Sequence, residues 1–110
     1  MNKKLFLLLS VVLFLGCQTP EIKEGDSTIR IITLGKTVEE HHTQVGMRFN
    51  ELLQQNHTIQ LNVGKFLECI DGICSNSEYT WKIYVNGNLI NVGITTYSVK
   101  DNDSIELVYE

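Results

Sequence analysis

Of all the segments in this 110-residue chain, WKIYVNG, Trp81 to Gly87, most narrows what it can fold into. Side chains along an extended strand alternate between its faces, so Trp81, Ile83 and Val85 share one side while Lys82 and Tyr84 take the other. Asn86–Gly87 follows at once. A type I′ hairpin turn needs positive φ at both central residues, and Asn and Gly tolerate this best. NLINV, from Asn88, is then the returning strand.

The rest of the chain supplies partners for this hairpin. STIRIITL puts Ile29 and Ile31 on one face and Arg30 and Ile32 on the other, and its β-branched residues favour a strand. Gly35–Lys36 suits a turn. In TVEEHHTQV, Thr37 with Glu40 imitates a capping box, while the preceding turn and the β-branched ends permit a second strand; the strand is the preferred reading. GMRFNELLQQN places Phe49, Leu52 and Leu53 at helical spacing with Asn56 as a stop, so a short helix is expected to lie on the sheet. TIQLNV and KFLECI alternate as strands. Asp71–Gly72 marks a turn, and YSVKDNDSIELVYE closes the chain with Ile105, Leu107 and Tyr109 alternating against Glu106 and Val108. Strand, strand, helix and several further strands make an α+β architecture: a β-grasp-like sheet with one packed helix.

The amino terminus points to export. MNKKLFLLLSVVLFLGC has two lysines, an uncharged run from Leu5 to Leu15, then Gly16 and Cys17. About 12 residues at ~1.5 Å each span about 18 Å, short of a ~30 Å hydrocarbon core, so residues 1–16 read as a signal peptide. FLGC resembles the lipobox of bacterial lipoproteins, with Phe14 and Leu15 departing from its usual residues. That resemblance implies a lipidated Cys17, extracytoplasmic anchoring to a bacterial membrane and a polar tether over residues 17–26. Gln18 carries no aspartate-type retention signal, so the outer membrane is preferred in a two-membrane cell. Residues 27–110 then form the only domain. Loss of the leader removes Lys3 and Lys4 and no acid, moving the net charge from −4 to −6. Such a surface repels phosphate backbones, and nucleic acid is not an expected partner.

Lys65 to Glu110 resembles the extracytoplasmic domains related to the C-terminal domain of transcobalamin and intrinsic factor. FLECIDGI, WKIYVNG, Gly93, Tyr97 and VKDNDSIELVY carry the likeness, with Asn102 at a position where the family commonly has Gly and Leu107 where it has Trp. Cobalamin carriers of this kind hold their ligand between the β domain and a separate helical barrel, for which this chain has no room. The resemblance implies a membrane-anchored binding module with an open face, cobalamin or a related corrinoid being the suggested ligand. A surface protein or a cell-wall component is the alternative partner.

Four aromatics are candidates for that face: Trp81, Tyr84, Tyr79 and Tyr97, with Tyr109 able to extend it. Trp81 and Tyr84 lie on opposite sides of one strand, so core packing of Trp81 against Phe49 and Leu52 is expected, and Tyr84 is the candidate for exposed contact. A solvent-side cross-strand tyrosine would look the same. Cys69 and Cys74 flank IDGI, where a hairpin turn would set them opposite each other; a structural disulfide is expected over a redox or metal role. His41 and His42 point apart on a strand and His57 stands alone, so no metal site is expected. No hydrolase, phosphate-loop or dinucleotide motif occurs, and catalysis is not expected.

Overall fold

A computed structural model describes residues 22–110. The expected signal peptide, the lipidated Cys17 and the first part of the tether lie outside the described residues. Eight strands and one helix follow: β1 (Lys23–Thr33), β2 (Lys36–Val45), α1 (Phe49–Gln54), β3 (Ile59–Leu61), β4 (Leu67–Ile70), β5 (Ile73–Cys74), β6 (Trp81–Val85), β7 (Asn88–Leu89) and β8 (Asp103–Tyr109). The α+β expectation holds. Lys23 to Asp26, assigned from sequence to the tether, fall instead within the bounds of β1. Lys23 and Glu24 pair with Val45 and Gln44 across a bulge, and the Asp26 amide donates to Asp101 Oδ1 at 2.8 Å.

The main sheet has the order β2-β1-β8-β6-β7, and a small sheet has the order β3-β4-β5. β1 and β8 run parallel in the middle of the main sheet, with antiparallel neighbours on either side. Three tight turns set the registers. Leu34–Gly35 (φ 42°, 90°), Asp71–Gly72 (48°, 84°) and Asn86–Gly87 (52°, 84°) all have the positive φ pair of a type I′ turn. The first of these falls one residue earlier than expected, with Leu34 in a conformation that Asn would adopt more readily.

One face of the main sheet is buried. Ile29 and Ile31 from β1, Ile105, Leu107 and Tyr109 from β8, and Trp81, Ile83 and Val85 from β6 all point inward, as their alternation requires. Phe49, Leu52 and Leu53, at helical spacing on α1, cover part of it and are essentially inaccessible. A six-residue helix cannot persist by itself. Burial of this apolar stripe holds it, together with the Phe49 amide donating to Tyr97 O at 2.8 Å and the Gly46 amide to Val99 O at 2.7 Å. The Cys69–Cys74 disulfide is present, its cysteines directly opposite in the β4–β5 register with Cα atoms 4.0 Å apart.

Candidate functional site

The helix is too short for the face it covers. Six residues rise about 9 Å, while the seven residues of β8 extend about 23 Å, so one end of the inner face lies beyond the reach of α1. The β4–β5 hairpin leans over that end without filling it. What remains is a cleft of about 400 Å³ between the β1–β2 hairpin and the β4–β5 hairpin, with Trp81 in its wall.

Apolar side chains dominate the lining. Ile31, Ile70 and Trp81 are buried, whereas Leu34, Val38 and Ile73 stay 61%, 53% and 39% exposed, although each belongs to a residue type that gains by leaving water. Lys36, His57 and Asp71 supply the charged groups. A cleft of this volume, mostly apolar with a few convergent polar groups, has the make-up of a small-molecule site. A larger groove of about 570 Å³ runs beside the β1 bulge, but Glu24, Gly25, Asp26, Thr43 and Gln44 line it. None of these offers an aliphatic or aromatic surface to an organic ligand.

Trp81 is core, as expected, but its partners sit at the cleft. Its ring lies 4.9 Å from that of Tyr109, directly opposite in register, and the indole N–H donates to Ile73 O at 2.8 Å. Tyr79 stacks on the same Tyr109 at 5.3 Å. Tyr109 in turn donates its hydroxyl to Cys74 O at 2.7 Å, tying β8 to the disulfide hairpin. Tyr84 lies on the opposite face, where its hydroxyl donates to Glu110 Oε1 at 2.7 Å; that bond to a carboxylate raises its pKa. Tyr97 is at the far end of β8, donating to buried Asp103, and burial together with that carboxylate raises its pKa well above the phenol range. The four aromatics named from sequence therefore do not form one surface: Tyr79 and Trp81 share an aromatic cluster, and Tyr84 and Tyr97 lie elsewhere.

At the inner end of the cleft a charged cluster joins the two hairpins. His57 Nδ1 donates to Asp71 Oδ2 at 2.6 Å and His57 Nε2 to Glu40 Oε2 at 2.5 Å, while His42 Nε2 lies 3.2 Å from Glu40 Oε1. An imidazole facing a carboxylate from each nitrogen satisfies both only as the imidazolium, so the geometry favours the charged ring. Burial opposes the charge on His57, but the bonds to Asp71 and Glu40 outweigh it and raise the pKa. Burial likewise works against ionised Glu40, and the two histidines overcome it and lower the pKa; for Asp71, the hydrogen bond from His57 comes first in lowering it. No group of three or more His, Cys, Asp or Glu side chains among the described residues is arranged to hold an ion.

Sequence reasoning missed this cluster because it weighed the adjacent His41 and His42, whereas the partners of His57 are 17 and 14 residues away. A second polar row, His42, Ser27 and Asp103, crosses β2, β1 and β8 in register and is buried. Serine stands in its middle, and its buried hydroxyl makes no hydrogen bond to either neighbour.

Comparison with known proteins follows the fold. Two solved structures superpose on most of the chain. A candidate metal-binding protein from Ruminococcus gnavus ATCC 29149 matches at 17% identity and TM-score 0.66, covering 79% of this chain and 97% of its own. Haptocorrin in complex with Cbi matches at 15% identity and TM-score 0.65, covering 86% of this chain and 26% of its own. The fold is thus transcobalamin-like; it makes up nearly the whole of the first protein and about a quarter of the second. No curated protein matches the sequence. Residues 46–110, more than half of the chain, match a family described as a domain of unknown function. The chain belongs to that family, DUF4430.

Proposed function

We propose that this protein is an extracytoplasmic, non-catalytic binding module with a β-grasp-like sheet, lipid-anchored through Cys17 to a bacterial membrane, that holds a small amphipathic ligand in the Trp81 cleft. The observation that carries the reading is the uncovered end of the inner sheet face, where Leu34, Val38 and Ile73 remain open to water beside a buried indole. A corrinoid is the first ligand to try, since haptocorrin shares the fold and was crystallised with Cbi. A cleft of about 400 Å³ would take one edge of so broad a molecule and leave the rest exposed, so binding by this domain alone is expected to be weaker than in a closed carrier.

Calorimetric titration with cobalamin and its incomplete corrinoid precursors tests the reading. Val38→Asp, in the cleft, should weaken binding by about tenfold or more, because it puts an unpaired charge against the apolar edge of the ligand. Tyr84→Ala, on the opposite face, should leave affinity unchanged. The reverse pattern would move the site to the Tyr84 face, and silence up to millimolar ligand would sink the corrinoid reading.

A second reading, a surface contact with another protein, has its own observation. Phe66, Leu89 and Val92 are exposed together around a smaller cleft of about 180 Å³ beside the short edge strand β7. Loss of a co-purifying protein on Leu89→Ser, with cobalamin binding absent throughout, would favour it.

A further inference from the structure

We propose that His57, protonated on both nitrogens, latches the β4–β5 hairpin onto β2, so that the Trp81 cleft is a protonation-gated site. The gating of a ligand rests on the binding reading above, whereas the latch stands on its own geometry.

The latch spans the two sheets. Glu40 belongs to β2 in the main sheet, Asp71 to the β4–β5 turn in the small one, and His57, in the loop before β3, bridges them with its two ring nitrogens. Each group facing the ring has a defined role. From β2 come Glu40, then His42 bonded to the other Glu40 oxygen, and Lys36 farther along the same cleft wall. From the hairpin comes Asp71, whose Oδ1 also accepts the Thr58 amide at 2.9 Å. Asn56, just past α1, helps to lower the pKa of Glu40 and adds no charge. Ile59 of β3 adds no charge.

Loss of one proton breaks the symmetry. A neutral imidazole has a single N–H, so one of the two carboxylates then faces a lone pair and is repelled. Asp71 stays with the His57 segment, because its amide donates to Thr58 O at 2.8 Å and its Oδ1 accepts the Thr58 amide; the bond to Glu40, which alone of the two joins the small sheet to β2, is the one that loosens and frees the turn. Ile70 and Ile73 flank Asp71–Gly72 and are themselves cleft wall. Movement of that turn therefore shifts the wall and disturbs the Trp81 indole bond to Ile73 O. The site is closed and ordered while His57 carries its charge, and loosens as pH rises through its raised pKa.

Trp81 is the single tryptophan of the chain, which makes its emission a direct reporter. Emission of the full-length protein would be followed from about pH 5.5 to about pH 9 beside NMR titration of the His57 ring. The two curves should share one midpoint above the ordinary histidine value of 6.5, and His57→Gln should abolish the emission step while the fold persists. A His57 midpoint at or below 6.5, or a raised midpoint with flat Trp81 emission, would overturn the latch. Cobalamin is the probe for gating: its affinity should fall about tenfold across that midpoint. Binding that ignores pH overturns the gate. Absence of cobalamin binding at every pH overturns the corrinoid reading, and the latch is then decided by the emission and ring titrations alone.

Discussion

The inner face of the main sheet has two ends made from similar residues and finished differently. Under α1, Ile29 and Ile105 meet Phe49, Leu53 and Ile94, and all are wholly buried. At the other end Ile31, Trp81 and Tyr109 are covered, but Leu34, Val38 and Ile73 are not. Composition does not separate the two ends, since both are rich in Ile, Leu and aromatics. Cover does. The short helix concentrates close packing at one end, and close packing is where most of the stability of a small domain resides. The other end keeps apolar surface in water, which costs stability and leaves a place for a ligand.

Four perturbations would break or sharpen that contrast. Phe49→Ala should have the largest effect, about 3–5 kcal/mol by urea denaturation, because it opens a cavity in the tightly packed end. A loss below about 1 kcal/mol would mean that α1 is not the centre of stability. Next comes the double change Cys69→Ser with Cys74→Ser. It should cost about 2 kcal/mol, the chain entropy of so short a loop, and should speed amide exchange at Ile70 and Ile73 far more than at Ile29.

The third perturbation is pH dependent. His57→Ala removes two charge-assisted hydrogen bonds and should cost about 1.5–3 kcal/mol near pH 6. The folded-state pKa of His57 is raised, so its contribution is complete below 6.5 and is lost as pH rises through the folded value. Glu40 and Asp71 are lowered, so theirs is present above their ordinary values of 4.5 and 3.8 and is lost as pH falls through the folded ones. The penalty should therefore be greatest between these limits and shrink toward pH ~9. A penalty equal at both pH values would show that the ring acts only by packing.

The smallest stability effect belongs to Leu34→Asn. Asn enters the positive-φ region more readily than Leu, so stability should change by no more than about 0.5 kcal/mol, possession of the turn being preserved. Ligand binding should nonetheless weaken, because the rim loses its apolar wall.

How much of this was legible in the sequence depended on range. The Asp71–Gly72 and Asn86–Gly87 turns and the inward faces of β1, β6 and β8 follow from neighbouring residues, and so does the disulfide, whose cysteines bracket a turn. The Trp81–Tyr109 pairing does not, because it needs the register between β6 and β8. The His57 latch needs two partners brought in by different sheets, and looking for a metal between adjacent histidines drew attention to the wrong pair. Hardest of all was the cleft. It is a gap in cover, set by where a six-residue helix stops, and no local pattern of residues marks a gap.

NMR mapping of cobalamin on the full-length protein tests most directly whether the uncovered end is the binding end. Expected are saturable shifts at Leu34, Val38, Ile73 and the Trp81 indole, with Phe49 and Leu53 unmoved. Shifts confined to Tyr84 and Leu89 on the opposite face and edge, or none at millimolar ligand, would contradict it.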